Sequence, residues 1–319
     1  MTFTSPLFVI AKNELKTLAR EKTFLLLLGI FLAMTFFSVY IGWSTRTTTS
    51  AIYDATVSVL QSVGVTTIPQ NPILNVSPLV VFDNMIIYIL LVGALLSIVI
   101  GHRSFIRERT SGVLPLVFVR PIQKGTYVAG KLLGVGAALL GIILGTLLVS
   151  ICSALFIPAL HLSGVEFLRL FGFYAVSLLY LAFFALLGFV CAIRFSSESI
   201  ALFVPIMIWI ALVFIVPELA TGQNPVALLN PITLSQALPN TNPFFTFMRT
   251  VLEPFSVGQY YTESAMMFLK AGSNASLSLS QGLAQVGGSL AGVTAYLVLL
   301  GGGSIAALRS YAIATDPLL

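Results

Sequence analysis

The sequence predicts an all-α polytopic membrane protein with six transmembrane helices, an amphipathic interfacial helix ahead of the first, and both termini cytoplasmic. Three observations predict it. The chain is 57% hydrophobic and only 8% charged, whereas soluble domains carry about a quarter charged residues. Such a composition cannot cover a water-facing surface, so lipid is the solvent for most of the chain. Six apolar runs have span length or nearly so. Lysine and arginine alternate in abundance between the segments joining those runs, as the positive-inside rule requires.

Residues 1–23 carry the interfacial helix. Lys12, Lys16 and Arg20 recur at i, i+4 and i+8, and Leu7, Ala11, Leu15 and Leu18 form an apolar stripe beside them. A helix basic on one side and apolar on the other suits the headgroup layer. A basic flank that only orients the first span is the plainer alternative. Residues 24–319 then form the transmembrane domain, with spans over about 24–43, 79–101, 132–156, 170–193, 200–216 and 283–308.

The first span, 24–43, is uncharged and at 1.5 Å per residue is about 30 Å long. Tyr40 and Trp43 mark its far end. Residues 44–78 are polar, with a threonine run and three prolines, and read as an extracytoplasmic loop holding a short helix over 51–63. The second span follows, with Asp83 near its outer end. Span four starts after a short outer turn over 158–169. A tight inner turn, 194–199, precedes span five, which has Pro205 in its first turns. Residues 217–282 are the longest segment between spans. Their apolar patches are too short to cross a membrane, and bare irregular backbone cannot face lipid, so they read as an extracytoplasmic segment packed against the spans.

Orientation comes from counting bases. Residues 1–23, 102–131, 194–199 and 309–319 hold twelve of the sixteen Lys and Arg; Arg46, Arg169, Arg249 and Lys270 lie on the other side. That bias places both ends inside. The sequons at Asn75 and Asn274 then fall outside.

The segment 102–131 alone carries six of the sixteen bases. Within it, Gly125 to Lys131 fills seven places of the phosphate loop G-x-x-x-x-G-K-[ST], but Leu132 stands where a Mg²⁺-ligating hydroxyl is needed. The glycines there read as the start of a helix, with Lys131 snorkelling to the headgroups. No catalytic constellation appears. His102 and His161 fall on opposite faces, and no carboxylate pair sits at helical spacing in a span. No cluster of metal ligands is present; Met248, Met266 and Met267 fit apolar packing better. Cys152 and Cys191 lie near opposite faces, too far apart for a disulfide. No base lies at a span centre, which weighs against ion-coupled transport. Gly130, Gly134, Gly141 and Gly145, with Gly288 and Gly292, make small-xxx-small pairs that suit close helix packing, within one chain or between two.

The residues of this loop resemble a known family. Arg107-Glu108-Arg109-Thr110-Ser111-Gly112-Val113-Leu114, then Arg120-Pro121-Ile122 and Tyr127-Val128-Ala129-Gly130-Lys131, look like the first cytoplasmic loop of ABC-2 type transporter permeases. Val113 and Pro115 depart from the pattern. The layout of the whole chain is similar too, and within the family it looks most like the multicopper-enzyme-maturation branch. The resemblance implies a permease subunit of an ATP-binding cassette transporter, with loop 102–131 acting as a coupling helix against a separate ATPase subunit. Arg107, Glu108, Arg109, Gly112, Leu114 and Arg120 are then the expected partner contacts. ATP and Mg²⁺ belong to that partner, and this chain carries no cofactor and no catalytic site. A second permease copy or a paralogue and the bilayer are the other expected partners; nucleic acid is not. A membrane anchor that transports nothing, or an ATP-independent transporter or channel, are the competing readings.

Overall fold

The computed structural model describes residues 5–65, 70–71, 76–114, 116, 123–157, 162–221, 242–272 and 277–315. Among these every regular element is helical. Among the described residues six helices are long and apolar enough to cross a membrane.

Helix α1, Pro6–Arg20, starts on a proline, whose missing N–H costs nothing at a helix start. Helix α2, Lys22–Ser62, is one helix of 41 residues, about 60 Å long. The expected loop over 44–78 therefore begins only after Ser62. The threonines there fold inward: Thr47 donates to the Trp43 carbonyl at 3.1 Å, Thr49 to Thr45 at 2.8 Å and Thr56 to Ile52 at 2.8 Å. Each hydroxyl satisfies itself on the preceding turn, so a polar run remains helical.

The second span opens with a 3₁₀ turn, Pro78–Phe82, and runs through helix α3, Asn84–Tyr88, and a π turn, Ile89–Gly93, into helix α4, Ala94–Thr110. Helix α5 is Lys124–Phe156. Helix α6, Gly164–Arg194, starts on a capping box between Ser163 and Glu166. Arg169, expected in an outer turn, is in the second turn of this helix. The fifth span is helix α7, Glu198–Ile210, a π turn Ala211–Ile215, and helix α8, Val216–Thr221. Helices α9, Pro243–Leu252, and α10, Val257–Leu269, fall in the segment before the last span, and helix α11, Leu279–Thr315, contains that span.

Helix α6 is the hub. It packs on α4, α5, α7, α10 and α11, and 78% of its most apolar stretch is buried, against 11% in the sixth span. Its closest crossing is with α4. A Cβ at Gly101 would lie 1.8 Å from the Ala185 carbonyl oxygen, and one at Gly188 2.4 Å from that of Ile98. Backbone meets backbone there, and only glycine allows it.

Helix α10 is buried along one face against α6 and α11. Tyr261 stacks on Tyr180 with ring centroids 4.4 Å apart, and its hydroxyl lies 3.2 Å from that of Ser177. Arg169, wholly buried, donates to the carbonyls of Met267 at 2.9 Å and Leu277 at 2.7 Å. The segment before the sixth span is thus pinned to span four at Tyr261 within α10 and at the C-terminal end of that helix. Nearby, the Leu90 carbonyl in the first π turn accepts from the Tyr180 hydroxyl at 2.9 Å and the Trp209 indole at 3.4 Å.

Candidate functional site

The charged residues of α1, α4 and α5 meet at one end of the bundle. The meeting depends on two glycines. A Cβ at Gly130 would sit 2.8 Å from the Ile10 side chain, and one at Gly134 would sit 2.6 Å from the Glu14 Cβ and 2.9 Å from the Ala11 carbonyl. With glycine at both places, α1 lies directly on α5, and the Glu14 carboxylate reaches across the contact.

Glu14 is buried to 2% exposure. It accepts from the Lys131 ammonium at 2.5 Å and from Arg107 Nη2 through both oxygens at 3.0 Å. The other Arg107 nitrogen donates to Glu21 at 2.8 Å. Lys131, 1% exposed, also lies 2.5 Å from Glu108 Oε1 and donates to the Ser104 carbonyl at 3.0 Å. The Tyr127 hydroxyl donates to Glu108 Oε2. Two cations and three carboxylates thus share bonds across three helices, and each buried charge is paired. That pairing is the condition for keeping charges out of water.

Arg109 completes the arrangement on a fourth helix. Its guanidinium donates to the carbonyls of Ala192 at 3.0 Å, Phe195 at 2.7 Å and Ser196 at 2.9 Å. These include carbonyls left open at the C-terminal end of α6, so a cation there also meets the negative end of that helix. Beneath the charges lies an apolar cluster of its own, including Phe105, Ile106, Tyr127, Val128, Phe189 and Leu114.

The segment between α4 and α5 is far shorter than the expected 102–131. Residues 102–110 continue α4, because nothing in them breaks a helix, and 124–131 already belong to α5. The turn comes at Gly112, with φ of 69°, in the left-handed region that glycine adopts freely. Beyond it Leu114 is buried in the apolar cluster, while Val113 is 42% and Leu116 68% exposed.

The chain matches the family model of the ABC-2 family transporter proteins over residues 8–307. It belongs to the ABC-2 transporter family. It is therefore a permease component, a membrane part of an ABC transporter rather than a catalytic one. A search among curated proteins finds no match.

For this ABC-2 permease the geometry shows where the expected contact residues stand within the fold. Arg107, Glu108 and Arg109, expected to face a partner, turn their charged groups onto the chain's own helices. Leu114 faces inward as well, and Gly112 shapes the turn. Arg120 lies outside the described residues, as do Asn75, His161 and Asn274. Lys131 does not snorkel to the headgroups: three oxygens at 2.5–3.0 Å hold it inside. His102, expected at the headgroups, is buried, with Nε2 3.3 Å from the Glu198 carbonyl oxygen. Among the glycines, Gly130 and Gly134 lie at the α1 contact. A Cβ at Gly292 would lie 3.1 Å from the Tyr260 ring and one at Gly145 3.6 Å from Leu32, whereas one at Gly141 or Gly288 would meet nothing within 4 Å.

Sequence reasoning missed Glu14, Glu21, Tyr127 and the role of Lys131. One signal was available. Glu14 falls at i+7 from Leu7 and i−4 from Leu18, on the apolar stripe of an otherwise basic helix. An acid on that face needs a buried cation.

Proposed function

We propose that this chain is the membrane-spanning subunit of an ATP-binding cassette transporter, moving a substrate across the cell membrane. A separate ATPase subunit, which carries the ATP and Mg²⁺, docks on the turn between α4 and α5. The observation that carries this reading is the match to the ABC-2 family over nearly the whole chain, joined to the construction of that turn. Val113 and Leu116 are offered to the outside, while Leu114 between them is anchored in the apolar cluster. A push on the exposed pair reaches α4, α5 and α6 directly, because ion pairs and the Arg109 bonds join those helices at this end. The contact roles given to Arg107, Glu108 and Arg109 become positioning roles under this reading, and Arg120 remains a contact.

The bias of bases, twelve against four, supports placing this end and both termini in the cytoplasm, with α1 along the inner headgroups. A second copy or a paralogue completes the path, since alternating access needs two halves that rock against each other. The open glycines Gly141 and Gly288 are surfaces on which it would pack. Placement in the multicopper-enzyme-maturation branch rests on the loop residues and the layout together.

The test is reconstitution with the ATPase subunit in liposomes. Leu116→Asp leaves the chain inserted and folded, and stimulated ATP hydrolysis falls to the level of the ATPase alone. Full stimulation by the variant removes this turn as the docking site. Transport by the permease without any ATPase removes the reading altogether.

A further inference from the structure

A separate cavity of about 290 Å³ opens between α4 and α7, at the same end of the bundle as the charge network. One half is polar, with His102, Arg103, Glu198 and Ser199; the other is apolar, with Val99, Leu202 and Phe203. Nothing in the docking reading uses it.

The polar half has charges of both signs. Arg103 is exposed and forms no ion pair among the described residues, and the same holds for Glu198. They line one cavity without neutralising each other, so each is open to a complementary charge. His102 forms the floor, tying α4 to the Glu198 carbonyl at 3.3 Å. Ser197 gives the start of α7 no side-chain cap, and Glu198 and Ser199 of that first turn line the cavity.

The depth of the cavity selects the ligand. The apolar run of α7 starts at Ile200, directly after the polar lining, and Ile200 and Phe203 are 50% and 64% exposed beside it. The cavity therefore straddles the level at which a span passes from headgroups to acyl chains. We propose that it binds the headgroup of a zwitterionic glycerophospholipid bearing a primary ammonium. The phosphate lies against Arg103 and the first-turn amides of α7. The ammonium lies on the Glu198 carboxylate, and the acyl chains run along Leu202 and Phe203. A headgroup with net negative charge meets Glu198 unfavourably. A free phosphate leaves the apolar half unused.

Native mass spectrometry of the full chain in a mild non-ionic detergent tests this. Phosphatidylethanolamine, phosphatidylglycerol and inorganic phosphate are titrated separately. The wild type is expected to hold one phosphatidylethanolamine about tenfold more tightly than phosphatidylglycerol, and Arg103→Gln to weaken it about tenfold. Glu198→Gln removes the preference between the two lipids. Leu202→Trp fills the apolar half and blocks the adduct without touching a charge. Equal retention by Arg103→Gln and Leu202→Trp overturns the site. Tighter binding of phosphatidylglycerol overturns the zwitterion, and displacement of the lipid by millimolar phosphate assigns the cavity to a free anion instead.

Discussion

Lys131 and Glu14 are 117 residues apart in sequence, and their charged atoms are 2.5 Å apart. Neither side chain is more than 2% exposed. The pair joins α1 to α5, and Arg107 and Glu108 extend it to α4. Removing Glu14 leaves the buried Lys131 with Glu108 and the Ser104 carbonyl and leaves Arg107 with Glu21, so the cost lies below the about 3–5 kcal/mol of a wholly unpaired buried charge. Glu14→Ala is expected to lower the thermal midpoint of the detergent-purified chain, while Lys12→Ala and Lys16→Ala on the exposed face of the same helix leave it nearly unchanged. An unchanged midpoint for Glu14→Ala would show that the network does not hold these helices together.

The α4–α6 crossing gives a second prediction. Gly101→Leu places atoms inside the Ala185 backbone and forces the two helices apart; overpacking of this kind costs about 1–3 kcal/mol or more. Gly136→Leu has open space before it. The first variant is expected to be recovered poorly as folded protein and the second at wild-type yield, read by size-exclusion chromatography. Equal recovery would mean that the two backbones are not in contact at Gly101.

Arg169 pins the segment before the sixth span through two carbonyls. Arg169→Gln keeps a polar group but loses the charge and the two-pronged reach. Hydrogen exchange over Val257–Leu269 is expected to speed up by about two orders of magnitude, two charge-assisted bonds of about 1.5–3 kcal/mol each being lost. Exchange at the α1 end should not change. Unaltered protection of α10 would mean that the Arg169 bonds do not hold it in place.

Tyr180 and Trp209 share the Leu90 carbonyl. Tyr180→Phe leaves the indole as a remaining donor, so the expected loss is about 1 kcal/mol. With Trp209→Phe added, the carbonyl has neither donor, and the double variant should lose more stability than the two single losses summed. Strict additivity in thermal denaturation would mean that the two donors act independently.

The sequence by itself determined the class of the protein and the number of spans. Both follow from local quantities: apolar runs of fixed length, and the cost of leaving backbone unbonded in lipid. The α1 stripe and the family motif were legible for the same reason, each being written within a few consecutive residues. The extents of the helices were less so. Polarity at Thr47 to Thr49 and charge at Arg107 to Arg109 looked like loop, but the threonines bond the preceding turn and the arginines find acceptors on other helices.

Only the tertiary structure decided what the charges do. Glu14, Arg107, Glu108 and Lys131 stand in three separate stretches of chain. Their partnership exists because Gly130 and Gly134 let α1 lie against α5 and because α4 ends beside them. The same holds for Arg169 and Met267, and for Tyr180 and Leu90. A buried charge states in sequence only that it needs a partner; which partner it has depends on distances that the folding of the bundle creates.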